Sequence, residues 1–205
     1  TTIINLLMRF YDPDSGTVYV DGRDVRTYDK DELHRKFGVV FQNDLVFHES
    51  LRDNIDFGRG LDDGALQSAA ADAQAAEFIN GLDDGLDHMA NIKGANLSGG
   101  QRQRILISRA LAGKAEILVL DDASSALDYR TDAQLRKALE AHHKYATLIL
   151  IAQRVSSIRN LDHILVMDNG RAIGYGSHEE LLESCPAYRE ICQAQMGDMA
   201  GKEGA

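Results

Sequence analysis

The sequence has 205 residues, a length that fits one globular domain with a small subdomain and is short for two ordinary domains. Its 44% hydrophobic and 26% charged residues are average for a globular protein, which excludes collagen-like, low-complexity and wholly disordered chains. The 32 acidic residues exceed the 22 basic ones and give a net charge of −10, which argues against bulk electrostatic binding to nucleic acid or anionic lipid.

Hydrophobic runs and the cysteine count bear on membrane spans and on the cellular compartment. The longest apolar run, residues 146–152, has the length of a strand and falls short of the roughly 18 to 20 residues that span a bilayer. The two cysteines, Cys185 and Cys192, are too few for a disulfide scaffold, which favours a reducing compartment. We predict that both are buried or unreactive thiols.

The first half of the chain predicts short elements separated by turns. Helical periodicity covers residues 2–10, and turn formers follow at 11–16. Residues 17–20 alternate like a strand and lead into the tight-turn dipeptide Asp21-Gly22. A short charged helix, a strand over 37–41 and a helical insertion over 65–81 come next.

The second half predicts helices alternating with buried apolar strands. The predicted elements are a helix to about residue 112, a strand over 117–120, a helix near 131–142, strands over 147–151 and 164–167, a turn at 168–170 into a strand over 171–175, and a helical end broken at Pro186. Continuous apolar strands between helices indicate a parallel sheet covered on both faces.

Two consecutive acids follow the strand over 117–120. Asp121 and Asp122 would lie at the carboxyl edge of a parallel sheet, where ligands of such sheets bind. Asp121 has the oxygen ligands that Mg²⁺ prefers. A strand-end turn with two solvated acids also explains this pair taken alone.

The run Leu97-Ser98-Gly99-Gly100-Gln101 stands before an apolar helix. The two glycines let a ligand approach the backbone, and the helix start offers free N–H groups to a phosphate. Ser98 as a simple N-cap would explain the serine and one glycine but not all five residues. We therefore predict an anion site.

This run resembles the signature motif of ATP-binding-cassette (ABC) ATPases, and further motifs of that family stand in order. Residues 117–121 resemble the Walker B strand, residues 125–128 the D-loop, and Gln42 the Q-loop glutamine. The resemblance covers essentially the whole chain. It implies an α/β fold, a P-loop NTPase (RecA-like) core with an α-helical subdomain, and ATP and Mg²⁺ as ligands.

Thr1 and Thr2 resemble the end of a Walker A loop, whose first hydroxyl contacts Mg²⁺. From this resemblance we expect the chain to begin inside its phosphate loop. The N-terminal strands, the loop glycines and lysine, and the segment with the adenine-stacking aromatic residue would then be missing. We expect the 205-residue chain to bind ATP weakly or not at all, which calorimetry can measure.

The resemblance also implies a role for each motif residue. Asp121, Thr1 and Gln42 would bind Mg²⁺. The implied nucleotide-binding residues are Thr1, Thr2, Gln42, Ser98, Gly99, Gly100, Gln101 and Asp128, those of the signature acting on the ATP of a second cassette.

Two catalytic positions depart from the family pattern. Asp122 stands where the family usually has a glutamate that polarises the attacking water, and the lost methylene draws the carboxylate back by roughly 1 Å. Gln153 stands where the family has a switch histidine, and an amide cannot carry a proton. Together they indicate a site that binds ATP and hydrolyses it slowly.

The implied assembly is one subunit of a heterodimeric multidrug-type exporter. A second cassette with a competent Walker B site would be its partner, a transmembrane domain of the same polypeptide would precede it, and it would work at the cytoplasmic face of the plasma membrane without nucleic acid. The segment over 87–94 departs from the exporter X-loop pattern at Ile92. The alternatives are a soluble ABC ATPase acting on ribosomes or DNA, and a symmetric homodimer with two slow sites.

The motifs also suggest domain bounds. We expect ATPase core over 1–49 and 113–183, a helical subdomain over 50–112, and a C-terminal helix and tail over 184–205. His142, His143 and His178 are predicted to be solvated helix residues and not metal ligands. The basic residues Arg102, Arg104 and Arg109 are predicted to lie on a solvent or interface face of their helix.

Overall fold

The computed structural model describes residues 1–123 and 125–200. The chain divides into two compact units, Thr1–Ile151 and Ala152–Ala205. Within the described residues, no helix has both the length and the apolar character needed to cross a bilayer.

The first unit combines short strands with helices. Its helices are α1 (Thr2–Leu7), α2 (Lys30–Arg35), α3 (Leu51–Asp56), α4 (Asp63–Asp72), α5 (Ala76–Asn80), α6 (Gly99–Ala112) and α7 (Tyr129–His142). Its strands are β1 (Tyr19–Val20), β2 (Arg23–Asp24), β3 (Phe37–Val40), β4 (Ile117–Asp121) and β5 (Thr147–Ile151).

The strands β3, β4 and β5 form a parallel sheet in that spatial order, which confirms the predicted parallel sheet. Val119 in the central strand lies opposite Val39 on one side and Ile149 on the other. The carboxyl ends of all three strands therefore meet at one edge, and Asp121 ends the middle strand.

Side chains of β4 alternate between two hydrophobic layers. Leu118 and Leu120 belong to a core that also contains residues of α3, α4, α6 and α7. Val119 points the other way, into a core with Ile4 of α1 and Leu33 of α2. Because successive side chains of a strand face opposite sides, a wholly apolar strand is covered on both faces, as predicted.

A glycine brings α6 against the sheet. A Cβ on Gly38 of β3 would collide with the carbonyl oxygen of Ala110 in α6. The helix that begins at the serine–glycine run is thus held directly on the sheet that carries Asp121.

The predicted tight turn is confirmed. Asp21 and Gly22 have φ of 50° and 72° and join β1 to β2 in an antiparallel pair. The predicted helix over 2–10 is too long, because α1 ends at Leu7 and Arg9 takes a left-handed φ of 55°.

The helical insertion predicted over 65–81 is helical in the structure and consists of two helices. The structure has α4 and α5, separated by a turn in which Gln74 has a φ of 60°. The carbonyl oxygen of Gln74, released from helical bonding, accepts a hydrogen bond from the Arg104 side chain at 2.8 Å. A contact from another helix therefore stabilises the break, and the alanine-rich pattern carries no sign of it.

The second unit contains α8 (Val155–Ile158), β6 (Ile164–Asp168), β7 (Arg171–Gly176), α9 (His178–Ser184) and α10 (Pro186–Ala200). The strands β6 and β7 pair antiparallel through an Asn169-Gly170 turn with φ of 46° and 76°. The strand β6 therefore differs from the parallel arrangement that the sequence predicts for it. The predicted break at Pro186 is confirmed. Cys185 and Cys192 are buried thiols, also as predicted.

Candidate functional site

The first and last residues of the predicted metal set meet in the structure. Asp121 ends β4 with 3% of its surface exposed. Thr1 is the N-cap of α1, and its hydroxyl donates a hydrogen bond to Oδ2 of Asp121 at 2.5 Å. A hydroxyl and a carboxylate, 120 residues apart in sequence, are thereby placed together at the carboxyl edge of the sheet.

This pair suits a hard divalent cation. Mg²⁺ in proteins is commonly held by one or two side-chain oxygens, with phosphates and water supplying the rest. Among the described residues there is no group of three or more His, Cys, Asp or Glu side chains that could hold a metal. Thr1 and Asp121 therefore offer a partial ligand set, of the kind that a phosphate ligand completes.

Two further predicted residues flank this edge. Thr2 is exposed in the first turn of α1. Gln42 is exposed two residues after β3, the strand that pairs with β4. Since β3 and β4 run parallel, Gln42 lies at the same edge as Asp121.

Asp122 adopts an unusual backbone conformation. Its φ is 55°, in the left-handed region, where aspartate is tolerated better than most side chains. Its amide donates to the carbonyl oxygen of Ile151 at 2.8 Å, and its carbonyl oxygen accepts from the Ser125 hydroxyl at 2.9 Å. These bonds hold the half-buried Asp122 between the ends of β4 and β5.

The serine–glycine run forms the start of α6. Ser98 is its N-cap, and Oγ accepts from the amide of Gln101 at 3.2 Å while Oε1 of Gln101 accepts from the Ser98 amide at 2.8 Å. The simple N-cap interpretation of Ser98 is thus confirmed for that residue. The bond uses the oxygen of Ser98 as an acceptor, so the hydroxyl proton is left to donate to a ligand.

The two glycines of this run have different surroundings. Gly99 is exposed in the first turn of α6. A Cβ on Gly100 would lie 3.4 Å from the carbonyl oxygen of Ala126, so the start of α6 runs beside the loop that leads into α7.

Asp128 caps α7. Its carboxylate accepts from the amide and the hydroxyl of Thr131 at 2.9 and 2.8 Å. These hydrogen bonds lower the pKa of Asp128 below its usual value, so the exposed carboxylate is ionised at neutral pH.

Gln153 belongs to the second unit. It is exposed, and its carbonyl oxygen accepts from the side-chain amide of Gln195 at 2.7 Å. In the first unit, the structure brings Thr1 to Asp121 and Gly100 to the loop before α7.

Arg109 is buried, and the prediction of a solvent or interface face is wrong for it. Its side chain is buried, with 6% of the residue exposed. Two of its hydrogen bonds go to Asn54, from Nε to the carbonyl oxygen at 2.8 Å and from Nη2 to the side chain at 3.0 Å. Nη1 donates to the carbonyl oxygen of Leu45 at 3.1 Å. Its guanidinium also lies 5.3 and 4.7 Å from the ring centroids of Phe47 and Phe57. Arg109 thus ties the segment after Gln42 to α3 and α6.

Burial lowers the pKa of Arg109 below its usual value, while Asp44, 3.6 Å away, partly offsets this effect. The sequence holds a signal for this burial. Arg109 stands four residues after Ile105 and three before Ala112, which places it on the apolar face of its helix.

Two of the three histidines also differ from prediction. His143 is buried, with 9% of its surface exposed, because it binds Asp72. His178 is half-buried and lies 2.8 Å from the hydroxyl of Tyr188. Both are held by polar partners that are distant in sequence and therefore give no local pattern.

Comparison with known proteins gives a consistent result. The family model described as ABC transporter matches residues 1–125. An ATP-dependent lipid A-core flippase of Vibrio vulnificus (strain CMCP6) is 42% identical over 200 residues, covering 97% of this chain and 34% of that protein. The ABC-type transporter fsqE of Aspergillus fumigatus is 39% identical over 198 residues, covering 95% of this chain and 15% of that protein.

A solved structure is similar over the same range. A bacterial Atm1-family ABC exporter with ATP bound matches with a TM-score of 0.92 and 38% identity, covering 95% of this chain and 35% of that one. The chain spans about a third of the length of these bacterial relatives.

Proposed function

This chain belongs to the ABC transporter family and has its α/β P-loop NTPase fold, and we propose that it is the nucleotide-binding domain of an ABC exporter. ATP binding and hydrolysis between two such domains would drive export. The observation that carries the proposal is the 2.5 Å hydrogen bond between the hydroxyl of Thr1 and the carboxylate of Asp121. It joins the last part of a phosphate loop to the end of the Walker B strand.

In this proposal Thr1, Asp121 and Gln42 hold Mg²⁺ at the carboxyl edge of the sheet. The bound ion would neutralise charge on the β- and γ-phosphates of ATP. Thr1 and Asp121 are already in contact, so this part of the site needs little rearrangement. The exposed Gln42 lies two residues after β3 and would contact the ion. It would also connect the ion to the segment that follows, in which the carbonyl oxygen of Leu45 accepts a hydrogen bond from Arg109.

The hydrolysis step at this site is proposed to be slow. Asp122 would orient the attacking water, but its carboxylate is one methylene shorter than glutamate and its backbone is held by Ile151. Gln153 would donate a hydrogen bond to the γ-phosphate without taking up a proton. Both effects act on the chemical step and leave ATP binding in place.

The signature is proposed to act on the ATP of a second cassette. Ser98 and Gly99 are exposed, and the hydroxyl proton of Ser98 can donate to a phosphate. Gln101 is engaged in the capping box and would hold Ser98 in place. The ionised Asp128 caps the neighbouring helix and would face the partner. A partner with a competent Walker B site would then supply most of the turnover.

The rest of the transporter is inferred from the relatives. They include a lipid A-core flippase and Atm1-family and fungal transporters, which suggests a small molecule or lipid as cargo. A transmembrane domain of the same polypeptide would place this domain at the cytoplasmic face of the plasma membrane.

Within this chain, residues 1–49 and 113–183 would form the ATPase core and residues 50–112 the helical subdomain. Residues 184–205 would form the C-terminal helix and tail, of which 201–205 lie outside the described residues.

Vesicles containing the complete transporter polypeptide test this proposal. We expect ATP-dependent movement of a fluorescent lipid or dye, and we expect Asp121→Asn to abolish it. An ATP-independent signal, or one unchanged by Asp121→Asn, would contradict the assignment. ATP hydrolysis by this polypeptide with and without candidate partner cassettes separates a heterodimer, whose turnover needs the partner, from a homodimer.

A further inference from the structure

Asp72, in the last turn of α4, binds two consecutive histidines at the end of α7. Its carboxylate lies 2.6 Å from Nδ1 of His142 and 2.9 Å from Nε2 of His143. Tyr145 places its hydroxyl 3.2 Å from the other ring nitrogen of His143. Asp72 is 7% exposed. Both carboxylate oxygens are therefore used to join α4 to the end of α7 in a poorly solvated position.

A second connection leads from α4 to the start of α6. Gln74, two residues after Asp72, accepts from Nη1 of Arg104 at 2.8 Å. Nε of Arg104 donates to the carbonyl oxygen of Gly100 at 3.2 Å. The guanidinium also lies 4.9 Å from the ring centroid of Phe78. A polar chain thus runs from the signature, through Arg104, to the residues around Asp72.

The two helices joined in this way both begin at proposed functional loops. Helix α6 starts at the signature, and α7 starts at Asp128. The loops are neighbours, since a Cβ on Gly100 would lie 3.4 Å from the carbonyl oxygen of Ala126. A rigid helix transmits a displacement of one end to the other, so holding the end of α7 constrains Asp128.

We propose that Asp72 is a positioning residue that fixes α7 relative to α6 and thereby sets the D-loop against the signature. The inference rests on the proposed function, because these loops meet nucleotide only in an assembled cassette pair. Asp72 itself touches no reacting atom. Its carboxylate is buried and hydrogen-bonded to two histidines, so losing either bond would leave a buried polar group without a partner and would loosen the contact between α4 and α7.

The test uses Asp72→Asn in the complete transporter. The amide keeps the shape and one acceptor oxygen but presents N–H groups to the second histidine. We expect kcat for ATP hydrolysis to fall about tenfold while KM for ATP stays within about twofold, because a misplaced loop affects the chemical step. Glu140→Gln removes the same charge from the exposed face of α7 and leaves both constants unchanged. An unchanged kcat in Asp72→Asn would overturn the proposal.

A conservative pair separates positioning from simple loss of folding. In His143→Gln the side-chain amide can donate near the place of Nε2, whereas His143→Leu cannot donate. We expect His143→Gln to keep at least about half of the wild-type kcat and His143→Leu to lose as much as Asp72→Asn. Equal losses in both variants, with equally lowered melting temperatures, would show a merely structural role and overturn the proposal.

Hydrogen exchange gives a readout that does not depend on hydrolysis. We expect Asp72→Asn to raise exchange in residues 98–102 and 128–132, both remote from residue 72 in sequence, and Glu140→Gln to leave it unchanged. Exchange that rises only around residues 72 and 142–145 would overturn the proposal. A wild-type transporter without ATP hydrolysis would contradict the proposed function, while the exchange result would still decide the role of Asp72.

Discussion

The hydroxyl of Thr1 donates a hydrogen bond to Oδ2 of Asp121 at 2.5 Å, linking the N-cap of α1 to the end of β4. Asp121 is 3% exposed, so its carboxylate is almost wholly shielded from water. A shielded carboxylate needs a compensating positive charge or hydrogen bonds. The Thr1 hydroxyl supplies one such bond, and the proposed Mg²⁺ would supply the charge.

The first prediction concerns this carboxylate. Asp121→Asn removes its charge while keeping its shape, and we expect the Mg²⁺-dependent part of ATP affinity in the complete transporter to fall by about tenfold or more. ATP binding measured with Mg²⁺ and with excess chelator isolates that part. Asp14→Asn, which neutralises an exposed acid, serves as the control. Equal Mg²⁺ dependence in wild type and Asp121→Asn would remove the metal role from Asp121.

The second prediction separates the structural and functional parts of Ser98. Ser98 and Ser177 form the same kind of capping box, with Gln101 and Glu180 respectively. Ser98→Ala and Ser177→Ala should each destabilise the first turn of their helix by about 1 kcal/mol, visible as faster local hydrogen exchange. Only Ser98→Ala should reduce ATP hydrolysis. If both variants reduce it alike, Ser98 acts as a helix cap alone.

The third prediction concerns Arg109. Arg109→Lys keeps a positive charge but loses the planar donor set that binds Asn54 and Leu45. We expect a loss of about 2 kcal/mol in the free energy of unfolding, measured by denaturant titration. Arg35→Lys, on the exposed face of α2, should change it by less than about 0.5 kcal/mol. A tolerated Arg109→Lys would show that burial of the side-chain stem, and not its hydrogen bonds, stabilises this region.

The fourth prediction is a pH dependence in the second unit. Burial, together with neighbouring Cys192, raises the pKa of Tyr188 to about 12. Because an unfolded tyrosine titrates near 10, the neutral phenol stabilises the fold fully below pH 10, and this contribution is lost as the pH rises from about 10 to about 12.

Absorbance of the phenolate measures this directly. Burial also raises the pKa of Tyr145, so the titration of wild type is compared with that of Tyr188→Phe. Tyr188→Phe should remove one of the seven tyrosines from the late part of the titration, together with the matching loss of stability above pH 10. A Tyr188 that titrates near pH 10 in the folded protein would contradict its burial in the second unit.

The sheet and its edge could be predicted because their signals are local. The apolar run of β4 indicates a strand covered on both faces, and Asp121 at its end follows directly. The Asp21-Gly22 dipeptide specifies its turn through the left-handed conformations that these residues tolerate. The motif order then predicted the family, although the placement of Thr1 beside Asp121 became visible only in three dimensions.

The remaining features depend on contacts between distant segments. The helical stretch is interrupted at Gln74, whose free carbonyl oxygen accepts a hydrogen bond from the Arg104 side chain. His143 is buried because Asp72 lies opposite it. The position of Arg109 on the apolar face of α6 indicates burial, but its partners Asn54 and Leu45 come from a distant segment. None of these partners lies within one helical turn of the residue it holds, so periodicity carries no trace of the pairing.

The most direct test of a slow site at Asp122 and Gln153 is ATP hydrolysis by the complete transporter polypeptide without any other cassette protein. We predict slow turnover in the wild type and an increase of about tenfold or more in the double variant Asp122→Glu, Gln153→His, since both changes restore groups that act on the chemical step. Rapid wild-type turnover that Asp122→Asn abolishes would contradict the proposed slow hydrolysis.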